Sequence, residues 1–101
     1  MTVRIQRSGS AATLYAEGRV DTNSAPSFAA RMEEALPGTT DLTLDFSDLS
    51  YISSSGLRAV MLAVRTMSRQ GSIRIVNVQP GVYEILETTG FTGLCDVEQL
   101  P

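Results

Sequence analysis

Three consecutive serines, Ser53-Ser54-Ser55, stand between a strand-like apolar segment and a helix-like apolar segment, with Gly56 directly behind them. Hydroxyl groups at such a junction could act as a nucleophile, line a phosphate-binding loop, cap a helix or accept a phosphate. Each of these four chemistries makes its own demands on the rest of the chain. The remaining residues therefore discriminate among them.

The chain lacks the partners that a catalytic serine needs. It contains no histidine, and all eight basic residues are arginine, so neither imidazole nor lysine is available to take the proton from a serine hydroxyl. The elbow motif G-x-S-x-G of α/β-hydrolases also lacks its first glycine here, and 101 residues are too few for that fold. We therefore expect a non-enzyme without catalytic residues.

Phosphate binding and helix capping explain only part of the serine cluster. Phosphate loops draw on several glycines and a lysine, whereas this turn offers Gly56 alone, so direct nucleotide binding is a weak alternative that stays open. Ser53 or Ser54 can cap the following helix, which is typically worth about 1 kcal/mol. Ser55 falls at the first or second helical position and points outward. A phosphate there would gain from the helix dipole and add up to about two negative charges.

The composition indicates one domain covering residues 1–101, long enough to bury roughly two-thirds of the surface of the unfolded chain. The net charge of −3 argues against a protein that binds nucleic acid directly. We find no signal-peptide pattern and no apolar run that would insert into a membrane. The single cysteine, Cys95, cannot form an internal disulfide or a metal site, so a reducing cytoplasm is the expected location.

Apolar spacing along the chain predicts strands that alternate with helices. Strands are predicted at 3–5, 14–16, 41–46 and 73–78, with 94–97 as a candidate edge strand. The first two form a hairpin. Helices are predicted behind Pro26, behind the serines and from Pro80. This order indicates an α/β domain with a mixed sheet of about four to five strands and at least one parallel pair.

The second predicted helix carries an unusual outer face. On a wheel of about 100° per residue, Arg58, Leu62, Arg65 and Arg69 fall together, with Ser55 at the margin. Such a group is most often an ordinary solvated face. It also resembles a protein-binding anchor with a polar rim, to which an acidic partner surface would be suited.

Two segments resemble the signature of STAS domains, the anti-sigma factor antagonists. Residues 45–58 lead through Ser53-Ser54-Ser55-Gly56-Leu57 into a helix, as the family's D-S-S-G-L phrase does. Residues 17–21, Glu-Gly-Arg-Val-Asp, are similar to the family's E-G-x-L-D at the end of its second strand. The predicted element order agrees with the family along essentially the whole chain.

The resemblance implies a STAS-type single domain that acts in bacterial partner switching and regulates transcription. Its unmodified form would bind an anti-sigma factor that is itself a serine kinase with a GHKL-type ATP fold. That kinase would phosphorylate Ser55, a serine phosphatase would reverse this, and no cofactor or metal would be needed. The family motif also singles out Asp21, which has an alternative interpretation as a turn or N-cap residue. The predicted partner-binding residues are Asp21, Ser53, Ser54, Gly56, Arg58, Leu62 and Arg65.

Ser53 departs from the family pattern, because phosphorylated members usually carry aspartate at this position. Loss of that carboxylate could alter kinase docking or the rate of phosphorylation. Relatives that cannot switch combine a similar serine with alanine at the phosphorylation site. Ser55 is retained here, so we favour a switchable protein. The alternative is a STAS-type accessory subunit of a membrane transport ATPase complex that is not phosphorylated.

Overall fold

A computed structural model describes residues 1–101 and contains five strands and three α-helices. In chain order they are β1 (Thr2–Ser8), β2 (Ala11–Val20), α1 (Ala25–Ala35), β3 (Asp41–Ile52), α2 (Ser54–Gln70), β4 (Ser72–Val78), α3 (Pro80–Thr88) and β5 (Asp96–Gln99), with a 3-10 turn at Phe91–Gly93 before β5. The predicted α/β class with four to five strands is confirmed.

The strands form one mixed sheet in the order β1-β2-β3-β4-β5. β1 and β2 pair antiparallel as the predicted hairpin, with Gly9 at φ +62° in the turn. The other three strand pairs are parallel. Each helix connects one parallel strand to its next neighbour, and right-handed crossovers of this kind place all three helices on the same face of the sheet.

The face of the sheet covered by the helices holds the core. Leu14, Leu44 and Ile75 lie at the centre of β2, β3 and β4 and are fully buried. The helices contribute apolar side chains to the same cluster: Phe28, Met32, Val60, Met67, Val82 and Leu86. The opposite face is polar and bears no helix.

β3 is longer than predicted and ends at Ile52 rather than at residue 46. Its pairing with β2 shifts after Tyr15 and again after Gly18, and each time β3 carries the extra residue. Each bulge changes which alternate residues point inward. The buried positions in β3 are therefore Leu42, Leu44, Phe46, Leu49 and Ile52, a pattern that strict alternation does not detect.

Close backbone approaches occur at two glycines. A Cβ on Gly56 would lie 2.7 Å from Val20 Cγ1, so only glycine allows the start of α2 to approach β2 this closely. A Cβ on Gly71, between α2 and β4, would collide with the carbonyl oxygen of Thr40. A Cβ on Gly18 would meet only an ordinary contact at 3.5 Å, and the φ of +95° is what favours glycine there. None of the three helices is long and apolar enough to cross a membrane.

Candidate functional site

The serine junction and the Asp21 turn lie side by side at one end of the sheet. β2 and β3 are parallel, with Val20 opposite Ile52 at their carboxyl ends. The Ser53 N–H donates to the Val20 carbonyl at 2.7 Å and ties the two chain segments together. The fold therefore brings together two groups of predicted site residues that are more than thirty positions apart in the sequence.

Ser53 is the helix cap. It has extended backbone geometry (φ −81°, ψ 170°), and its Oγ accepts a hydrogen bond from the Gly56 N–H at 3.2 Å. Only 7% of the residue is exposed. Because the Gly56 N–H already has an acceptor, it is not available to an anion, and the phosphate-loop interpretation of this turn is weakened.

Ser54 and Ser55 occupy the first two positions of α2, and both are exposed. Ser55 therefore lies where the sequence predicted, in the first turn. Neither hydroxyl makes a hydrogen bond within the protein, whereas Ser53 is bonded and buried. The first turn of α2 also contains no acidic residue. The junction thus presents two free hydroxyl groups at a helix N-terminus whose first turn carries no acidic residue.

Gly56 determines how closely this helix tip approaches the sheet. The residue is buried, and a Cβ there would lie 2.7 Å from Val20 Cγ1 and 2.8 Å from Ile52 Cγ1. The first turn of α2 therefore lies directly on the ends of β2 and β3. This contact fixes the outward direction of the preceding residue, Ser55.

Asp21 and Ser24 bond to each other ahead of α1. The Asp21 carboxylate accepts from the Ser24 N–H at 2.9 Å and from the Ser24 hydroxyl at 3.0 Å, while the Asp21 N–H donates to Ser24 Oγ at 2.9 Å. The hydrogen bond from the Ser24 backbone is the main reason that the pKa of Asp21 lies below its ordinary value. Asp21 is thus a turn residue, and its docking role stays a prediction.

Four exposed residues of α2, Arg58, Leu62, Arg65 and Arg69, form what we call the arginine–leucine face. Leu62 is 54% exposed. The only ion pair in the structure joins Arg31 to Glu34, so none of the three arginines on this face is paired with a carboxylate. The face combines free positive charge with one exposed large apolar side chain.

A groove of about 560 Å³ runs beside the arginine–leucine face, between α2 and the chain that follows α3. Its lining includes Leu57 and Met61 from α2, and Ser54 from the serine junction. Thr89 and Phe91 line it as well, and neither is among the predicted site residues. Phe91 is 2% exposed and part of the core. No local signal marks these two residues, because the contact joins segments some thirty residues apart.

Ser53 and Gly56 are buried, so they hold the backbone of the junction and offer little side-chain surface to a partner. Burial raises the pKa of the half-buried Cys95 thiol. No group of three or more histidine, cysteine, aspartate or glutamate residues is arranged to hold a metal ion.

Comparison with known families gives a match over nearly the whole chain. The family described as "Mlab, STAS domain" matches residues 3–97. BtrV of Bordetella bronchiseptica, a candidate anti-sigma factor antagonist, is 36% identical over 61 residues. That alignment covers 59% of this chain and 53% of BtrV, so it spans about half of the relative's length.

Solved structures with the same fold include two anti-sigma factor antagonists. The one from Mycobacterium paratuberculosis has a TM-score of 0.87 at 15% identity, with 96% of this chain and 84% of that chain covered. The phosphorylated form of SpoIIAA from Bacillus has a TM-score of 0.74 at 17% identity, with 95% and 90% covered. At these identities the likeness establishes a common fold.

Proposed function

The chain belongs to the STAS domain family, and on that premise we propose that it is an anti-sigma factor antagonist, switched by phosphorylation of Ser55. In this proposal the unmodified protein binds an anti-sigma factor that is a serine kinase with a GHKL-type ATP fold. Binding occupies the kinase and releases a sigma factor. The name of BtrV and the fold shared with SpoIIAA support this direction.

One observation carries the proposal: Ser55 presents a free, exposed hydroxyl in the first turn of α2, next to the arginine–leucine face. Phosphorylation transfers the γ-phosphoryl group of ATP to Ser55 Oγ. The new O–P bond forms as the bond from the γ-phosphorus to the bridging oxygen breaks, ADP leaves, and a base of the kinase takes the hydroxyl proton. This chain supplies only the acceptor, since it has no histidine or lysine.

The phosphate would act by local charge rather than by unfolding. Negative charge is favourable at a helix N-terminus, and the first turn of α2 contains no acidic residue that would repel it. About two negative charges would appear beside a docking surface whose own free charges are positive. An acidic partner surface would then be repelled. A serine phosphatase would restore the unmodified form by transferring the phosphoryl group to water.

The proposed docking surface consists of the exposed members of the predicted set. Arg58, Leu62 and Arg65 supply a cationic rim around an apolar side chain, and Ser54 lies at the adjoining groove. Asp21 lies on the neighbouring turn. Ser53 and Gly56 contribute by holding the helix tip in place.

Intact-mass spectrometry tests the proposal directly. The full chain is incubated with ATP and each serine kinase encoded near it, and the modified residue is mapped by peptide fragmentation. We expect one added phosphate on Ser55, absent in Ser55→Ala and retained in the matched control Ser54→Ala. Absence of phosphate with every such kinase would contradict the switch. Co-purification with a transport ATPase would then favour the accessory-subunit alternative.

A further inference from the structure

Five of the eight arginines are engaged with other groups of the protein. Their contacts are Arg4 over the Tyr15 ring at 4.1 Å, Arg7 to Thr39 at 3.0 Å, Arg19 over the Tyr51 ring at 4.4 Å, Arg31 to Glu34 at 2.9 Å, and Arg74 to Thr43 at 3.3 Å. The guanidinium groups of the other three, Arg58, Arg65 and Arg69, make no hydrogen bond, ion pair or ring contact. All three belong to the arginine–leucine face.

Only one of these three free arginines is within reach of Ser55. Arg58 is three residues further along α2, a spacing that puts the two Cβ atoms about 5–6 Å apart on the same side of the helix. At roughly 1.5 Å per residue, Arg65 lies about 15 Å from Ser55 along the helix axis, and Arg69 lies about 21 Å from it. Both distances exceed what one side chain can bridge.

The arginine at the end of β2 is directed elsewhere. Val20 and Ile52 point into the core on the helix-covered face, so their neighbours Arg19 and Tyr51 point to the open face of the sheet. Arg19 is held there by its stacking on the Tyr51 ring at 4.4 Å. Arg58 is therefore the one unoccupied cation within reach of Ser55.

We propose that Arg58 forms an intrahelical ion pair with the phosphate of phosphorylated Ser55 and thereby leaves the groove that it lines in the unmodified protein. The inference rests on the proposed phosphorylation of Ser55. An acidic group placed N-terminal to a basic group one turn along is the favourable orientation of such a pair. A guanidinium group can also donate two parallel hydrogen bonds to phosphate oxygens.

This ion pair would give one modification two effects on the docking surface. The phosphate adds negative charge at the tip of α2, and the groove next to Leu62 loses one of its two lining arginines, Arg58 and Arg65. An acidic partner would meet a repulsive charge and lose an attractive one in the same event. The change needs only rotation of one exposed side chain, so the fold stays intact.

The test places phosphoserine at position 55 of the full chain by genetically encoded incorporation, so that no kinase is involved. A ³¹P NMR titration then measures the second pKa of the phosphate, which is ordinarily about 6. A neighbouring guanidinium favours the dianion and lowers this pKa. We expect Arg58→Gln to raise it by about 0.2 to 0.4 units relative to the parent phosphoprotein at low salt.

Matched variants separate a specific pair from the general field of the helix. Arg65→Gln removes the same charge beyond reach of the phosphate and should leave the pKa unchanged, and Arg58→Lys should retain part of the effect. The pKa difference between the parent phosphoprotein and Arg58→Gln should shrink in about 1 M salt, where the Debye length is about 3 Å. The charge of Asp21 on the neighbouring turn is present in every variant, so it does not contribute to the pKa differences among them. Circular dichroism confirms that each variant is folded.

An unchanged pKa in Arg58→Gln, or an equal rise in Arg65→Gln, would overturn the ion pair. Because the phosphoserine is incorporated during translation, this outcome is independent of any kinase. A pKa that responds to Arg58 while no kinase modifies Ser55 would refute the proposed function and leave the pair standing. Enzymatic phosphorylation of Ser55 together with a phosphate pKa that does not respond to Arg58→Gln would support the proposed function and refute the ion pair.

Discussion

Two helices begin next to each other at the carboxyl ends of β2 and β3, and their first turns use polar residues in opposite ways. Ahead of α1, Asp21 and Ser24 form reciprocal hydrogen bonds. At the start of α2, Ser53 alone makes the capping bond, while Ser54 and Ser55 are exposed and bonded to nothing in the protein. One turn is internally satisfied, and the other keeps reactive groups free.

The difference shows which polar residues at a helix start are available for function. A cap needs one side-chain oxygen, and a second polar residue either bonds to the first or faces solvent. In the turn ahead of α1, Asp21 and Ser24 bond to each other. In α2 the remaining hydroxyls face solvent beside an unpaired cationic surface. The comparison therefore assigns stability to the Asp21 turn and to Ser53, and the exposed hydroxyl groups fit the proposed phosphorylation of Ser55.

The largest expected effect concerns the third helical position, which is Gly56 in α2 and the exposed Ser27 in α1. Gly56→Ala would put a methyl group 2.7 Å from Val20 Cγ1 within a packed core. Despite the better helix propensity of alanine, we expect a loss of about 1–2 kcal/mol in the free energy of unfolding, measured by urea denaturation. The matched control Ser27→Ala should change it by less than about 0.5 kcal/mol. If Gly56→Ala were as stable as the parent protein, α2 would not pack tightly against the ends of β2 and β3.

A smaller effect separates the capping serine from its neighbour. Ser53→Ala removes the acceptor of the buried Gly56 N–H and should cost about 1 kcal/mol in urea denaturation. Ser54→Ala removes a hydroxyl without a protein partner, so we expect a change below about 0.5 kcal/mol. A larger loss in Ser54→Ala than in Ser53→Ala would mean that the cap is misassigned.

The Asp21 turn should reveal itself through pH. Its hydrogen bonds from Ser24 lower the pKa of the carboxyl from its ordinary value of 3.8. A depressed folded-state pKa stabilises the protein fully above the unfolded-state value, and this stabilisation is lost as the pH falls through the folded-state pKa. Asp21→Asn should therefore melt below the parent protein near pH 7. The two melting temperatures should converge as the pH falls below about 4, and divergence on acidification would contradict the assignment.

Much of this arrangement could be predicted from local pattern, and the remainder depends on contacts between distant segments. Apolar periodicity located α2 and the hairpin, and the spacing of Arg58 and Leu62 placed both on an exposed face. Whether Ser53 or Ser54 caps was not decidable, because the helix start is set by Gly56 against strands that precede it. The end of β3 was missed because its two bulges break the alternation. Phe91 reaches the groove only through folding of the C-terminal segment.

The smallest expected effect sharpens the comparison at Ser55 itself. Ser55→Asp places a negative charge in a first turn that has no acidic residue, so it should raise the free energy of unfolding by about 0.3–1 kcal/mol at low ionic strength. Ser55→Asn, of similar size and uncharged, is the control, and the difference between the two should decline with added salt. A melting temperature several degrees below that of Ser55→Asn would mean that the site cannot accept a charge without loss of structure. Phosphorylation would then have to act by disordering α2, whereas a small gain in stability fits a charge that alters docking on an intact fold.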